Sequence, residues 1–348
     1  MRDNKLRWIL AVMVLGVGTF PAAAVAASQT LNADETAILA HLEARQTAFT
    51  VQLSTTSMGV LTKELKTAIQ SDAYLAMDIS SYNYTLMGNQ ADFSVVYNES
   101  RSQYQSVLQG VKRVIARIIK PGMDVYQKEK AIHDYVVLNT AYDLSLQNYT
   151  AYDALFQHSA VCQGYAMLTY QLLNAAGIPN ILISGTATNS TFGTQSHAWN
   201  EVDLNGKWYQ LDTTWDDPVP NQPGQVQYNY FNLTSAQMAK DHRWNKNGLP
   251  VANTNFIQVL EHSKNPQDRQ LLTQTGLSAE EPQNTYSTWS SFEVFLSKLS
   301  TVQGTVYNFR IPYSFVNQSW PNLNVNVSFS YERDTRNSRY ALVTLTVT

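Results

Sequence analysis

Hydrophobic residues recur at helical spacing in some segments of the chain and alternate with polar residues in others. Recurrence at intervals of three and four predicts amphipathic helices, and strict alternation predicts half-buried strands. Helices are predicted near 38–42, 61–69, 102–118, 125–139, 161–176 and 292–299. Strands are predicted at 49–53, 79–87, 91–97, 181–184, 197–204, 207–212, 323–331 and 341–347, with a small polar loop at 186–196. This mixture favours an α+β protein.

Breaks in these patterns predict three units behind a leader. Pro121-Gly122 ends one helix and Ala176-Gly177 ends another, as is typical of proline and glycine stops. The units are expected to be a small α/β N-terminal domain, a middle domain, and a C-terminal linker with a helix and antiparallel strands: 28–122, 123–255 and 256–348.

The leader, residues 1–27, predicts a signal peptide. A basic start is followed by an apolar run at 8–20 and by the small-x-small cleavage pattern Ala24-Val25-Ala26. The apolar run is shorter than the roughly 20 residues that span a bilayer. No other long apolar run follows, so we expect a secreted or cell-surface protein without stable membrane insertion.

The charge and the cysteine content exclude some classes of protein. The net charge is −3 and only 15% of the residues are charged. Nucleic-acid binders usually carry a basic face, so nucleic acid is not expected as a partner. Cys162 is the one cysteine, which excludes a disulfide within the chain.

Cys162 lies in the first turn of its predicted helix. Unpaired backbone N–H groups and the helix dipole favour an anion there, which lowers the pKa of a thiol. A thiolate is the nucleophile of acyl-transfer chemistry. The alternative interpretation is a small buried hydrophobic residue.

His197 and Asp212 lie on two predicted strands joined by Asn205-Gly206, a strong hairpin signal. A two-residue turn places Trp199 opposite Asp212, so His197 and Asp212 share a face as diagonal neighbours. A carboxylate there can hold one imidazole nitrogen while the other faces a thiol. A one-residue register slip would separate the two side chains. The alternative is a surface histidine near a turn carboxylate.

The middle unit resembles the transglutaminase-like superfamily over about residues 125–250. The motifs that carry the resemblance surround the three residues above: Ala160-Val161-Cys162-Gln163-Gly164-Tyr165-Ala166, Ala176-Gly177-Ile178-Pro179, Ser196-His197-Ala198-Trp199-Asn200-Glu201-Val202 and Trp208-Tyr209-Gln210-Leu211-Asp212-Thr213-Thr214-Trp215-Asp216-Asp217-Pro218. Further motifs resemble the secreted bacterial branch: 128–135, 141–143, 229–234 and Asp241-His242-Arg243-Trp244. Many relatives carry an acidic residue where Gln163 stands, which leaves the triad intact.

The resemblance implies a papain-like core, in which a cysteine-bearing helix packs on an antiparallel sheet. It implies Cys162 as nucleophile, His197 as general base and acid, and Asp212 as the group that orients the histidine. The expected function is thiol-dependent acyl transfer on glutamine carboxamides or peptide bonds, giving cross-linking, deamidation or peptide hydrolysis. The expected partner is a protein or peptide substrate, with cell-wall peptides as one candidate. A non-catalytic peptide-binding or wall-binding module remains the alternative.

No cofactor or metal is expected. A metal site built from His158, His197 and Asp212 lacks paired-ligand spacing, and the chain has no calcium-loop pattern. His158 is interpreted as a loop residue, His133 as a helix-surface or capping residue, and His242 as structural. Of the tryptophans at 199 and 215, one is expected to wall the cleft and the other to lie in the core.

Overall fold

The computed structural model describes residues 30–189, 193–280, 282–300, 302–318, 320, 323, 325–334 and 336–348. The predicted leader, residues 1–27, lies outside them. The α-helices are α1 Ala33–Glu43, α2 Met58–Gln70, α3 Ala73–Asp78, α4 Arg101–Ile118, α5 Val125–Asn139, α6 Cys162–Ala175, α7 Ser235–Met238, α8 Phe256–Glu261, α9 Pro266–Gln274 and α10 Trp289–Leu296. Among the described residues, each helix falls short of the length or apolar character that crossing a membrane requires.

The strands form three principal sheets, and a further short pair joins the segments before Cys162. In chain order the strands are β1 Ala48–Gln52, β2 Ile79–Met87, β3 Gln90–Tyr97, β4 Ala141–Tyr142, β5 Ser159–Ala160, β6 Asn180–Asn189, β7 Gly193–Asp203, β8 Trp208–Leu211, β9 His242–Trp244, β10 Val306–Pro312, β11 Val327–Arg333 and β12 Tyr340–Val347. The three sheets have the orders β1-β3-β2, β8-β7-β6-β9 and β10-β12-β11. Every pairing in these three sheets is antiparallel, and the predicted α+β class is confirmed.

The central core lies between α6 and the four-stranded sheet. Tyr165, Leu168 and Leu172 of α6 are fully or almost fully buried, on the stripe that the sequence predicts. Val107 and Val111 of α4 belong to the same core, so the last helix of the N-terminal segment packs beside the cysteine helix. Further cores lie under the N-terminal and C-terminal sheets.

The hairpin of β7 and β8 has the predicted register. Asp203 pairs with Trp208 and Asn200 pairs with Leu211, so the two-residue turn falls at Asn205-Gly206. Both turn residues have positive φ, at 58° and 78°, which is the geometry that favours Asn-Gly in a tight hairpin. This local signal therefore fixes the face on which His197 lies.

The predicted loop at 186–196 is wrong over most of its length. Strand β6 runs on to Asn189, and β7 begins at Gly193, with Thr186 paired to Ser196 and Thr188 to Thr194. Residues 190–192 lie outside the described residues. The small polar side chains of this segment gave no alternating apolar signal. Pairing between β6 and β7 nevertheless satisfies their backbone groups. Strand β9 pairs with the other edge of β6. The sequence also missed α3, β10 and the short helices α7 to α9.

Gly185 of β6 allows strand β9 to approach closely. It pairs with His197 on one side and with Trp244 on the other. A Cβ at this position would lie 2.1 Å from the Arg243 carbonyl oxygen and 3.0 Å from the Trp199 ring. A side chain here must therefore displace β9 from the sheet.

We expect Gly185→Ala to lower the free energy of unfolding by about 1–3 kcal/mol, the range typical of overpacking. Urea unfolding of the folded chain measures the change. Gly59→Ala is the matched control, because Gly59 lies in α2 and its Cβ would meet only the Ser57 Oγ at 3.9 Å. Equal stability of the two variants would contradict the packing argument.

Candidate active site

Cys162 is the first residue of α6 and its side chain is partly exposed. Val161 precedes it in an extended conformation, with no side chain capping the helix, so the first N–H groups are open to a ligand. Gly164 allows the helix start to pack closely, since a Cβ would lie 2.7 Å from the Thr150 carbonyl oxygen. The neighbouring Gln163 is buried and donates a hydrogen bond to the Met77 carbonyl at 3.0 Å. The cysteine is thus presented on a firmly anchored helix terminus.

His197 and Asp212 meet as the hairpin register predicts. The His197 Nε2 lies 2.7 Å from the Asp212 Oδ2, and both side chains are buried. The Asp212 Oδ1 accepts hydrogen bonds from the backbone N–H groups of Thr214 and Trp215 at 3.0 and 3.2 Å. Cys162 lies close enough to the His197 ring to raise its pKa. All three predicted site residues therefore lie together at one site.

The charges of His197 and Asp212 stabilise each other. Burial lowers the pKa of His197, but the Asp212 carboxylate and Cys162 outweigh burial and raise it to about 10. Burial raises the pKa of Asp212, but His197 and His242 hold it well below its usual range. His197 is therefore an imidazolium beside the thiol at neutral pH, and Asp212 is its carboxylate partner.

An open cleft of about 500 Å³ borders His197. Trp215 and Tyr142 line it, whereas Trp199 is buried in the core, so one tryptophan walls the cleft as predicted. Burial and the nearby Cys162 raise the pKa of Tyr142 to about 12, which keeps its hydroxyl protonated. Within the described part of the chain, the lining holds one carboxylate, Asp217, and no lysine or arginine. The cleft can therefore accept an uncharged carboxamide or peptide beside His197.

His242 is the site residue whose role the sequence did not predict. It is fully buried, and its Nε2 lies 3.2 Å from the same Asp212 Oδ2 that His197 contacts. Its own motif, Asp241-His242-Arg243-Trp244, was the available signal, but only the pairing of β9 with β6 brings it next to Asp212.

The other histidines divide between a correction and a confirmation. His133 is not a surface or capping residue: it is fully buried, and its Nε2 lies 3.1 Å from the Asp216 Oδ2. Helix α5 turns this face inward, where the ring stacks on Tyr228 at a centroid distance of 5.1 Å. His158 is an exposed loop residue, as predicted, and its Nδ1 contacts the Asn139 carbonyl.

Donor atoms of His197, Asp212 and His242 all lie within 4.8 Å of one another, close enough to hold a metal ion. Asp212 is already in hydrogen-bond contact with both histidines. We interpret the group as a hydrogen-bonded chain and not as a metal site. Among the described residues, His158 does not join His197 and Asp212 in a metal-ligand set.

The site thus combines a cysteine at the start of a helix with a histidine on an antiparallel sheet and an aspartate just beyond it. Residues 112–213 match the family model of the transglutaminase-like superfamily. The resemblance to this superfamily that was inferred from the motifs is therefore confirmed over this region.

Curated relatives match about a third of the chain. The kyphoscoliosis peptidase of Mus musculus is 25% identical over 123 residues, which cover 32% of this chain and 19% of that protein. The Homo sapiens protein of the same name is 25% identical over 119 residues, which cover 30% and 18%. The chain thus spans about a fifth of the length of the curated relatives it matches.

Solved structures resemble the chain at low identity. A crystal structure of a TGase matches with a TM-score of 0.30 and 13% identity, covering 52% of this chain and 54% of that one. The periplasmic domain of TgpA from Pseudomonas aeruginosa matches with a TM-score of 0.24 and 19% identity, covering 36% and 54%.

Proposed function

We propose that the protein is an exported thiol-dependent acyl-transfer enzyme that acts on glutamine carboxamides or peptide bonds. The observation that carries the proposal is the grouping of Cys162, His197 and Asp212 at the edge of an open cleft. An activated thiol beside a held imidazolium is the arrangement that covalent acyl transfer requires.

The first half of the proposed reaction forms a thioester. The Cys162 thiolate attacks the carbonyl carbon, and the carbonyl electron pair moves to oxygen, which the Cys162 backbone N–H at the start of α6 can stabilise. The C–N bond then breaks, and His197 gives its proton to the departing nitrogen. The products of this half are the acyl-enzyme and a free amine or ammonia.

The second half resolves the thioester. Neutral His197 takes a proton from an amine or from water, the nucleophile attacks the thioester carbon, and the C–S bond breaks to restore the thiolate. An amine gives a cross-link, and water gives deamidation or peptide hydrolysis. An amine would approach beside Asp217, which lines the cleft. The buried carboxylate of Asp217 accepts a hydrogen bond from the Tyr165 hydroxyl at 2.6 Å. This acidic lining supports amines, as well as water, as candidate nucleophiles for the second half of the reaction.

The state of the thiol tests the proposal without a known substrate. Because the pKa of His197 is about 10, the imidazolium persists through neutral pH and favours the thiolate of Cys162. We expect iodoacetamide to add one label to the folded protein well below pH 8, whereas an ordinary thiol reacts near its pKa of about 8.5. Intact mass between pH 4 and 9 measures this, with the urea-unfolded chain as control. Identical profiles for folded and unfolded protein would overturn the proposal and favour a non-catalytic binding module.

Product analysis separates the three acyl-transfer reactions. The folded protein is incubated with a glutamine-containing peptide library, with and without a primary amine. Mass spectrometry then distinguishes amine incorporation, conversion of glutamine to glutamate, and chain cleavage. Wall-derived peptides form a second library, which tests the candidate substrate from the cell surface.

A further inference from the structure

A second histidine shares the carboxylate oxygen that holds His197. The His242 Nε2 lies 3.2 Å from the Asp212 Oδ2, and the His242 Nδ1 lies 2.6 Å from the Asp241 Oδ1. The Asp241 Oδ2 in turn accepts the Tyr230 hydroxyl at 2.8 Å. The hydrogen-bonded chain therefore continues beyond Asp212 by three further ionisable groups, His242, Asp241 and Tyr230.

The fold holds His242 firmly in this position. It is fully buried at the start of β9, where it pairs with Ala187 of β6. Its ring packs edge-on against Trp199 and Trp215, at centroid distances of 5.0 and 4.5 Å. The His197 ring lies 5.3 Å away, also edge-on. Strand pairing and aromatic packing thus fix both nitrogens toward the two carboxylates.

The two carboxylate partners of this ring favour its cationic form. A carboxylate oxygen only accepts hydrogen bonds, and both nitrogens of an imidazole donate only when the ring is a cation. With a carboxylate at each nitrogen, the imidazolium satisfies both contacts. Among the described residues, the ionisable groups in hydrogen-bond or ring contact with His242 are Asp212, Asp241, His197 and Tyr230, and its ring also contacts Trp199 and Trp215.

We propose that His242 is a positioning residue of the site, a second imidazolium that shares the Asp212 oxygen with His197 and limits how strongly Asp212 holds the His197 proton. A catalytic acid and base works best when it gives and takes its proton near the working pH. Without a second cation, Asp212 would hold the His197 imidazolium still more tightly. The second cation divides the negative charge of Asp212 between two donors and fixes the carboxylate in the orientation that His197 needs.

His242→Gln tests this role, because glutamine can donate one hydrogen bond to Asp212 but carries no charge. Loss of a positive charge near the site disfavours the thiolate and favours protonated His197. We expect the acid limb of Cys162 alkylation and the NMR titration of the His197 ring both to move to higher pH, by on the order of 1 pH unit. Both readouts are free of substrate.

Two further variants provide a second test and a control. Asp241→Asn retains the ring but removes the charge that holds its second proton, so a smaller shift in the same direction is expected. His262→Gln is the matched control, since His262 is exposed and its Nδ1 contacts the Gln258 carbonyl, away from Asp212. Thermal unfolding confirms that each variant is folded.

The outcomes separate this inference, which rests on the proposed function, from the function itself. A wild-type protein without an activated thiol would overturn the proposed function. An activated wild-type thiol with unchanged profiles in both His242→Gln and Asp241→Asn would overturn the positioning role alone. Upward shifts in both variants, with none in His262→Gln, support it.

Discussion

Cys162→Ser is expected to abolish covalent labelling and to reduce substrate turnover by roughly 10⁴-fold or more, as removal of the nucleophile does in triad enzymes. A serine hydroxyl beside the His197 imidazolium stays protonated, because the imidazolium cannot remove its proton. The chain holds one cysteine, so the variant offers no other thiol for the reaction or the label. Initial rates and intact mass after iodoacetamide measure the two effects.

The structure makes this substitution a clean one. Cys162 is only partly buried, and exchange of sulfur for oxygen leaves the helix start and its Gln163 contact in place. An unchanged unfolding temperature is therefore the control. Turnover retained by the variant would show that another group carries the reaction. Peptide binding that survives in a protein without turnover would instead support a binding module.

The sequence was most informative where the determinants of structure are local. Asn205-Gly206 defines the turn, the turn defines the register of β7 on β8, and the register brings His197 to Asp212. The position of α6 is likewise predicted by its apolar stripe and by the glycine stop at its end. These signals span a few residues each, so they can be interpreted without knowledge of tertiary contacts.

The errors arose where the determinants are distant in the chain. His242 reaches Asp212 across 30 positions, and His133 reaches Asp216 across 83. Neither contact leaves a periodic pattern in the sequence. The strand extension at 186–189 also depends on pairing, because these polar residues form a ladder with β7 and, at 186–187, with β9.

Asp212→Asn is the second substitution with a large expected effect. The amide can present its NH₂ group to the His197 Nε2 and so favour the wrong tautomer, and the corresponding change in a serine protease triad lowers turnover by about 10⁴-fold. The negative charge is also lost. Since that charge raises the pKa of His197 to about 10, its removal must lower the pKa of the imidazole.

The direction of this shift distinguishes the two partners of the shared oxygen. Asp212→Asn should move the NMR titration of His197 to lower pH, whereas His242→Gln should move it to higher pH. Asp92→Asn, which removes the same charge from the remote N-terminal sheet, should move neither the titration nor the rate. If both site variants shifted the titration in one direction, then altered packing rather than charge would govern His197. Opposite shifts, with turnover lost far more completely in Asp212→Asn, are what a carboxylate held between two imidazolium rings requires.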